Sequence, residues 1–398
     1  MSEDSKTLKS IYSVILVIAV GFVLKVASPV TLPLAISLFF FLLVNPLVNN
    51  LEKIRVPRWL AVAIAMLVLV VIFVVMIFFI TLSLNTIIDG LPKYASRLTV
   101  IFGGIEDKIV NLLNLDTEIR LFELMAFDWQ GLLISSLSAI SGSALSIGST
   151  SVLVFIFVMF LLLERSSLIP KLRTALPSRD GLKLAVMFER INRQTSRYLV
   201  VKSLISLVTG ILFYLAAVAT RLDFPFVWGV LAFILNFIPS IGSVIITVLA
   251  VLVAILQFFP NYVNIIYVAV LMLSIQVVLG NILDPRMQGN QLNLSPFFIL
   301  VSLVFWGYIW GIVGMFLAVP LTSIIQIVCA NIKPLKPVAV LISSGKIYRK
   351  QIHADEKQKK EKFALERAFR REARQANHRK NSRSNKAAAA PPSSKTEE

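Results

Sequence analysis

Apolar residues in this chain gather in long blocks instead of narrow stripes. The runs at 60–82 and 152–163 hold almost nothing polar. A soluble helix would show one apolar face, and a membrane barrel would alternate with period two. Blocks of this kind suit helices that cross about 30 Å of hydrocarbon, which needs roughly 20 residues each. Inside lipid a helix satisfies its own backbone N–H and C=O groups. The pattern predicts an all-α, polytopic transmembrane helix bundle. Spans 1 to 3 fall at about 11–27, 30–47 and 59–84, within a first section 1–84. A polar section, 85–149, follows; its stretch 101–125 reads as amphipathic helix outside the membrane, and 142–149 as a flexible lead into span 4. Section 150–202 holds span 4 (150–163) and a basic helical segment.

The second half, 203–332, divides less simply. Span 5 covers 203–220 and span 6 covers 262–280. Between them, 224–238 is too short to cross before it meets Pro239-Ser240-Ile241-Gly242. After them, 296–308 runs into a glycine-rich stretch at 307–314. A proline inside a helix removes a backbone bond and kinks the chain. Both stretches therefore predict broken or re-entrant helical hairpins, at 224–259 and 296–330. Pro225 precedes Pro239 by 14 residues, and Pro296 precedes Trp310 by 14. The units 203–259 and 262–330 read as an inverted repeat. The last section, 333–398, is basic and polar and reads as a largely disordered tail.

Charge orients these spans. The chain carries a net +17, and from Lys333 onward there are 18 basic and 7 acidic residues. The remaining excess lies mostly in the loop 49–58 and the segment 164–202, while 85–149 holds seven acidic residues. By the positive-inside rule the basic segments and both termini face the cytoplasm, and 85–149 faces outward. Charge arranged this way points to a membrane lipid partner and not to nucleic acid. The N-terminal stretch through Val26-Ala27-Ser28 also has the outline of a cleavable signal, but Pro29 leads directly into more membrane-length sequence, which favours an uncleaved span.

Little catalytic chemistry is on offer. Cys329 is the one cysteine, and His353 and His378 both lie in the tail, so no metal site and no cofactor is expected. The 142–149 stretch lacks the lysine a phosphate loop needs. An enzyme is not expected. Interrupted backbone at membrane depth is the informative feature, because freed polar groups in lipid are costly and sit against protein or a wet cavity. That marks Asn236, Pro239, Ser240, Gly242, Gln276, Asn281, Gly307, Gly311 and Gly314 as candidate solute-pathway residues. Each break can equally serve packing, with Gly307 and Gly311 as a small-residue helix contact. Asn236 can meet a hydroxylated solute or staple the loosened backbone. Lys202, Asp223, Asp284 and Arg286 are candidate gating or charge residues. Their plainer reading makes Lys202 and Asp223 interfacial anchors and pairs Asp284 with Arg286.

Several segments resemble the autoinducer-2 exporter family of bacterial permeases. They are Tyr198-Leu199-Val200-Val201-Lys202-Ser203, Thr209-Gly210, Asp223-Phe224-Pro225, Trp228-Gly229, the run from Phe233 through Asn236 and Pro239 to Gly242, and Asn281-Ile282-Leu283-Asp284-Pro285-Arg286. Gly289, Leu294-Ser295-Pro296, Phe305-Trp306-Gly307, Trp310-Gly311 and Gly314-Met315-Phe316-Leu317-Ala318-Val319-Pro320-Leu321 extend the resemblance to about 198–321. It implies a homo-oligomeric exporter of a small polar or hydroxylated solute in the bacterial inner membrane. Some relatives are described as sodium (or lithium)/proton antiporters; that alternative needs an intramembrane carboxylate, and the spans read here contain none. A third reading, a non-transporting scaffold, would rest on 85–149 and the tail.

Overall fold

The computed structural model describes residues 15, 18–113, 129–175, 178–288, 292–345, 356, 358, 361, 363, 365 and 366. Among the described residues the secondary structure is helical, and seven helices are long and apolar enough to cross a membrane. Their outward faces carry bare apolar side chains, such as Val152 at 60% and Phe160 at 57% exposure, as lipid-facing surfaces do.

Residues 18–26 are helical and turn into α1 (Ser28–Lys53) at one corner residue, Ala27, where the sequence divides spans 1 and 2. Pro29 at the start of α1 suits this corner, since its missing N–H would have no helical partner there. Beside the corner, Gly21 lies against Phe305 and Lys25 over the Tyr308 ring at 3.6 Å. α2 (Arg58–Leu113) is unbroken for 56 residues, about 84 Å, so it runs far beyond the bilayer. α3 (Trp129–Ala175) takes in 142–149, which the sequence reads as a flexible lead; with no glycine-specific turn to stop it, the stretch stays helical. α4 (Ser178–Ala219) joins the basic segment to span 5 as one helix. Residues 114–128, part of the amphipathic stretch expected at 101–125, lie outside the described residues, as does most of the tail.

The second half holds α5 (Pro225–Leu235), α6 (Ile241–Phe258), α7 (Tyr262–Gln276), a π-helical turn (Val277–Leu283), α8 (Asp284–Gln288), α9 (Pro296–Asn331) and α10 (Lys336–Ile342). α5 and α6 fold back on each other. The backbone N–H of Asp223 donates to Gln257 Oε1 at 2.7 Å, although a straight helix would hold these residues about 50 Å apart. α9 doubles back too. Its backbone leaves helical geometry at Trp310 and Gly311, and Ser302 Oγ donates to the Ala318 carbonyl at 3.1 Å across 16 residues. Both expected interruptions are present as helical hairpins, with Ser240 and Gly311 at positive φ, each 15 residues after the proline that starts its first arm.

Three apolar clusters hold this unit together. One joins α1, α2, α3 and α4 to the tip of the first hairpin and to α9. A second lies between α4, the first hairpin and α7, where Ala216, Ala217, Ala232, Ala250 and Ala254 let the helices approach closely. The third seats Ile238 against Leu303, Trp306, Ile309 and Ala318.

Candidate functional site

The first hairpin's tip is built by its own sequence. Pro225 opens α5 behind Phe224, which sits in the left-handed region and caps the helix. α5 ends at Leu235, turns carry the chain through Pro239, and Ser240 adopts φ 62°, ψ −51°, with Ile241 N–H donating to the Pro239 carbonyl at 2.7 Å. This is a γ-turn of the strained, positive-φ kind. Gly242 follows, and a side chain there would overlap the Leu235 carbonyl, so only glycine lets the arms close. α9 repeats the device. Gly311 sits at φ 63°, ψ −144°, a conformation essentially restricted to glycine, and a Cβ on Gly314 would overlap the Trp306 carbonyl. Gly307 differs, because a Cβ there would meet the flexible side chain of Met315.

The two hairpins meet. Phe237, next to the first tip, stacks on Phe316 of α9 at 4.6 Å between ring centroids, and Phe39 of α1 closes the group at 5.0 Å from Phe316. Trp306 and Trp310 stack at 4.9 Å, and the buried indole Nε1 of Trp310 has no hydrogen-bond partner among the described residues. Asn236, 7% exposed, donates from Nδ2 to Ser206 Oγ of α4 at 3.0 Å. Ser206 lies about 20 Å along α4 from its end at Ala219, so the tip reaches deep into the bundle.

One turn further along α4, buried Lys202 donates from Nζ to Asp284 Oδ2 at 2.8 Å. Lys202, Asp284 and Arg286 are the candidate charge residues, whose plainer reading pairs Asp284 with Arg286 and anchors Lys202 at the interface. The structure instead joins Lys202 to Asp284 and leaves Arg286 exposed. The π-helical turn supplies a cause: each added residue rotates the following helix by roughly 100°, re-aiming α8 and its first residue, Asp284. Asp284 stands near the end of the helical stretch Tyr262–Met287, which is long and apolar enough to cross a membrane. Gln276 packs over Gly280 of the same turn, and Asn281 is exposed, so neither joins the tips.

Asp223 stands at the other end of α4, beyond the first hairpin's base, and its carboxylate takes Lys93 and Tyr94 of α2. On the opposite side of the bundle, Arg165 of α3 donates to Asn45 Oδ1 at 2.7 Å and to Asn49, while Asn45 donates to Asn192 of α4 at 2.7 Å. Sequence reading missed these polar links, the Phe39–Phe237–Phe316 group and the facing pair Gly210 and Gly229. A Cβ on Gly210 would stand 2.7 Å from the Gly229 carbonyl, so α4 and α5 touch backbone to backbone. The tandem Thr209-Gly210 and Trp228-Gly229 were the available signal.

Paired broken hairpins over a buried polar seam make a transporter's parts, and comparison with known proteins names the kind. The model of the AI-2E family transporter matches residues 12–333. The chain belongs to the AI-2E transporter family. A Borreliella burgdorferi protein with a transport designation is 33% identical over 348 residues, covering 87% of this chain and 94% of that protein. The AI-2 transport protein TqsA of Escherichia coli is 32% identical over 321 residues, 80% of this chain and 91% of its own length. Escherichia coli YhhT, also with a transport designation, is 32% identical over 321 residues, 80% and 90%. This AI-2E family member is thus a multi-pass membrane transporter, and its relatives are named for transport and not for enzymatic chemistry.

Proposed function

We propose that this AI-2E family member exports a small, polar or hydroxylated organic solute across the bacterial inner membrane by secondary or facilitated transport. The carrying observation is the first hairpin's tip seated on the second hairpin through Phe237 and Phe316, beside Asn236–Ser206 and one helical turn from Lys202–Asp284. Broken helices at this depth expose backbone and amide groups that suit a hydroxylated cargo, and the aromatic rings suit its apolar face. In this reading the hairpins are re-entrant, the first entering from outside and the second from the cytoplasm. Asn236, Pro239, Ser240, Gly242, Gly307, Gly311 and Gly314 line or shape the route, with Gln276 and Asn281 at its cytoplasmic end. The basic segments and both termini face the cytoplasm. A homo-oligomer is part of the proposal on the family resemblance, and native mass spectrometry tests it.

A second reading has one observation in its favour. Asp284, near the end of the apolar stretch Tyr262–Met287, pairs with buried Lys202 and would serve as the carboxylate that a sodium(lithium)/proton antiporter needs. Purified protein in vesicles separates the two. AI-2, the signal in the name of the relative TqsA, is loaded inside, and its efflux is followed with and without proton or sodium gradients. Efflux without a gradient supports the first reading. Sodium-dependent proton movement without AI-2 efflux overturns it in favour of the second.

A further inference from the structure

The outer part of α2 turns one face toward the base of the first hairpin. Gly90, Lys93, Tyr94 and Arg97 recur at i, i+3, i+4 and i+7, which aligns them along one side of a helix. Each meets a different part of that base. A Cβ on Gly90 would overlap the Phe224 ring, so the ring lies against bare backbone. Lys93 Nζ and Tyr94 Oη both donate to Asp223 Oδ2, the tyrosine at 2.7 Å. Arg97 donates to the Gln257 carbonyl at 3.1 Å, on the hairpin's other arm. Gln257 closes the base itself: its Oε1 accepts from the Asp223 N–H, and its Nε2 donates to the Arg221 carbonyl at 2.7 Å. One helical face therefore grips both ends of the hairpin at once.

We propose that Gly90, Lys93, Tyr94 and Arg97 of α2 form a latch that holds the first hairpin's base shut and must release for the outer side of the transport route to open. The proposal rests on the transport reading for its purpose but not for its test. Tyr94 is the buried element and Lys93 the half-exposed one. A buried bond to a carboxylate outweighs an exposed ion pair, so Tyr94 carries more of the hold. The position of the latch also assigns work to the length of α2, whose outer portion extends past any bilayer.

Hydrogen exchange by mass spectrometry on the full-length protein in lipid nanodiscs tests the latch without any cargo. Tyr94→Phe is expected to speed exchange about tenfold at 221–226 and 255–259, and Lys93→Glu to do the same. Unchanged protection at 244–252 shows that each variant is folded. Unaltered exchange at the base in both single variants overturns the latch. In vesicles, cysteines at 93 and 223 bridged by a short bis-methanethiosulfonate should block AI-2 efflux, and reductant should restore it; native Cys329 is buried and stays out of the reaction. Efflux indifferent to the bridge overturns the gating role. Protein with no efflux before bridging counts against the transport reading alone, while the exchange data still decide the latch.

Discussion

Gly242 and Gly314 lie two and three residues past the residue at positive φ in their hairpins, and each faces a carbonyl oxygen of the opposing arm. A carbonyl cannot step aside as a side-chain end can. Gly242→Ala and Gly314→Ala are therefore expected to destabilise the protein by about 1–3 kcal/mol through overpacking, seen as a lower melting temperature in detergent. Gly307→Ala meets only the Met315 side chain, so it should shift stability by less than about 1 kcal/mol. Equal losses at all three positions would show that the arms do not approach as described. Lys202 and Asp284 invite a different test, because their side chains are only 4% and 16% exposed. Removing one partner of a buried pair costs about 3–5 kcal/mol, whereas replacing both with apolar residues is often neutral. Lys202→Met and Asp284→Leu should each lower the melting point, and the double variant should recover it. If the recovered protein also transports AI-2, the pair is structural and leaves the pathway.

At the scale of the elements, the hairpins were legible because prolines and glycines punctuate apolar helix, and no other residue types break it so sharply. Pro225, Pro239, Pro296 and Gly311 place both turns within a residue or two. What joins the elements was not legible. Lys202 and Asp284 are 82 positions apart, and Phe39 and Phe237 further still, with no periodicity linking them. The π-helical turn also hides in sequence, since Val277–Leu283 reads as ordinary apolar helix and gives no sign of the rotation that re-aims Asp284. The helix through 142–149 was missed for a related reason: small residues there resemble a loop until a long helix runs through them. Ser240 offers a test of the first tip. A non-glycine residue in its γ-turn stores strain on the order of 1–3 kcal/mol. Ser240→Gly should raise the melting temperature by relieving it. A fall would mean that the serine side chain supports the turn by more than its backbone costs.

Over the whole chain, helix lengths and charge decide how the bundle stands in its membrane. α2, α3 and α4 measure about 84, 70 and 63 Å, two to three times the hydrocarbon thickness. Most of α2's excess and the start of α3 belong to the acidic region 85–149; the end of α3 and the first half of α4 carry the basic segment 164–202. Opposite ends of one bundle thus differ in charge, and the positive-inside rule predicts their sense. On that expectation the latch residues of α2 lie outside and Lys202–Asp284 toward the cytoplasm, with α4 bridging the two. Sided labelling checks this arrangement. An impermeant maleimide added to intact cells should modify a cysteine placed at 107 and spare cysteines placed at 5 and 350, while buried Cys329 stays silent. Labelling at 350 but not at 107 would invert the bundle and set the latch on the cytoplasmic side. Labelling at 5 alone among the termini would mean that the corner at Ala27 does not return the chain, so that residues 18–53 cross once instead of twice. Only the spared pair with a labelled 107 lets the first hairpin enter from outside and the second from within, which is the geometry an alternating route between the two hairpins requires.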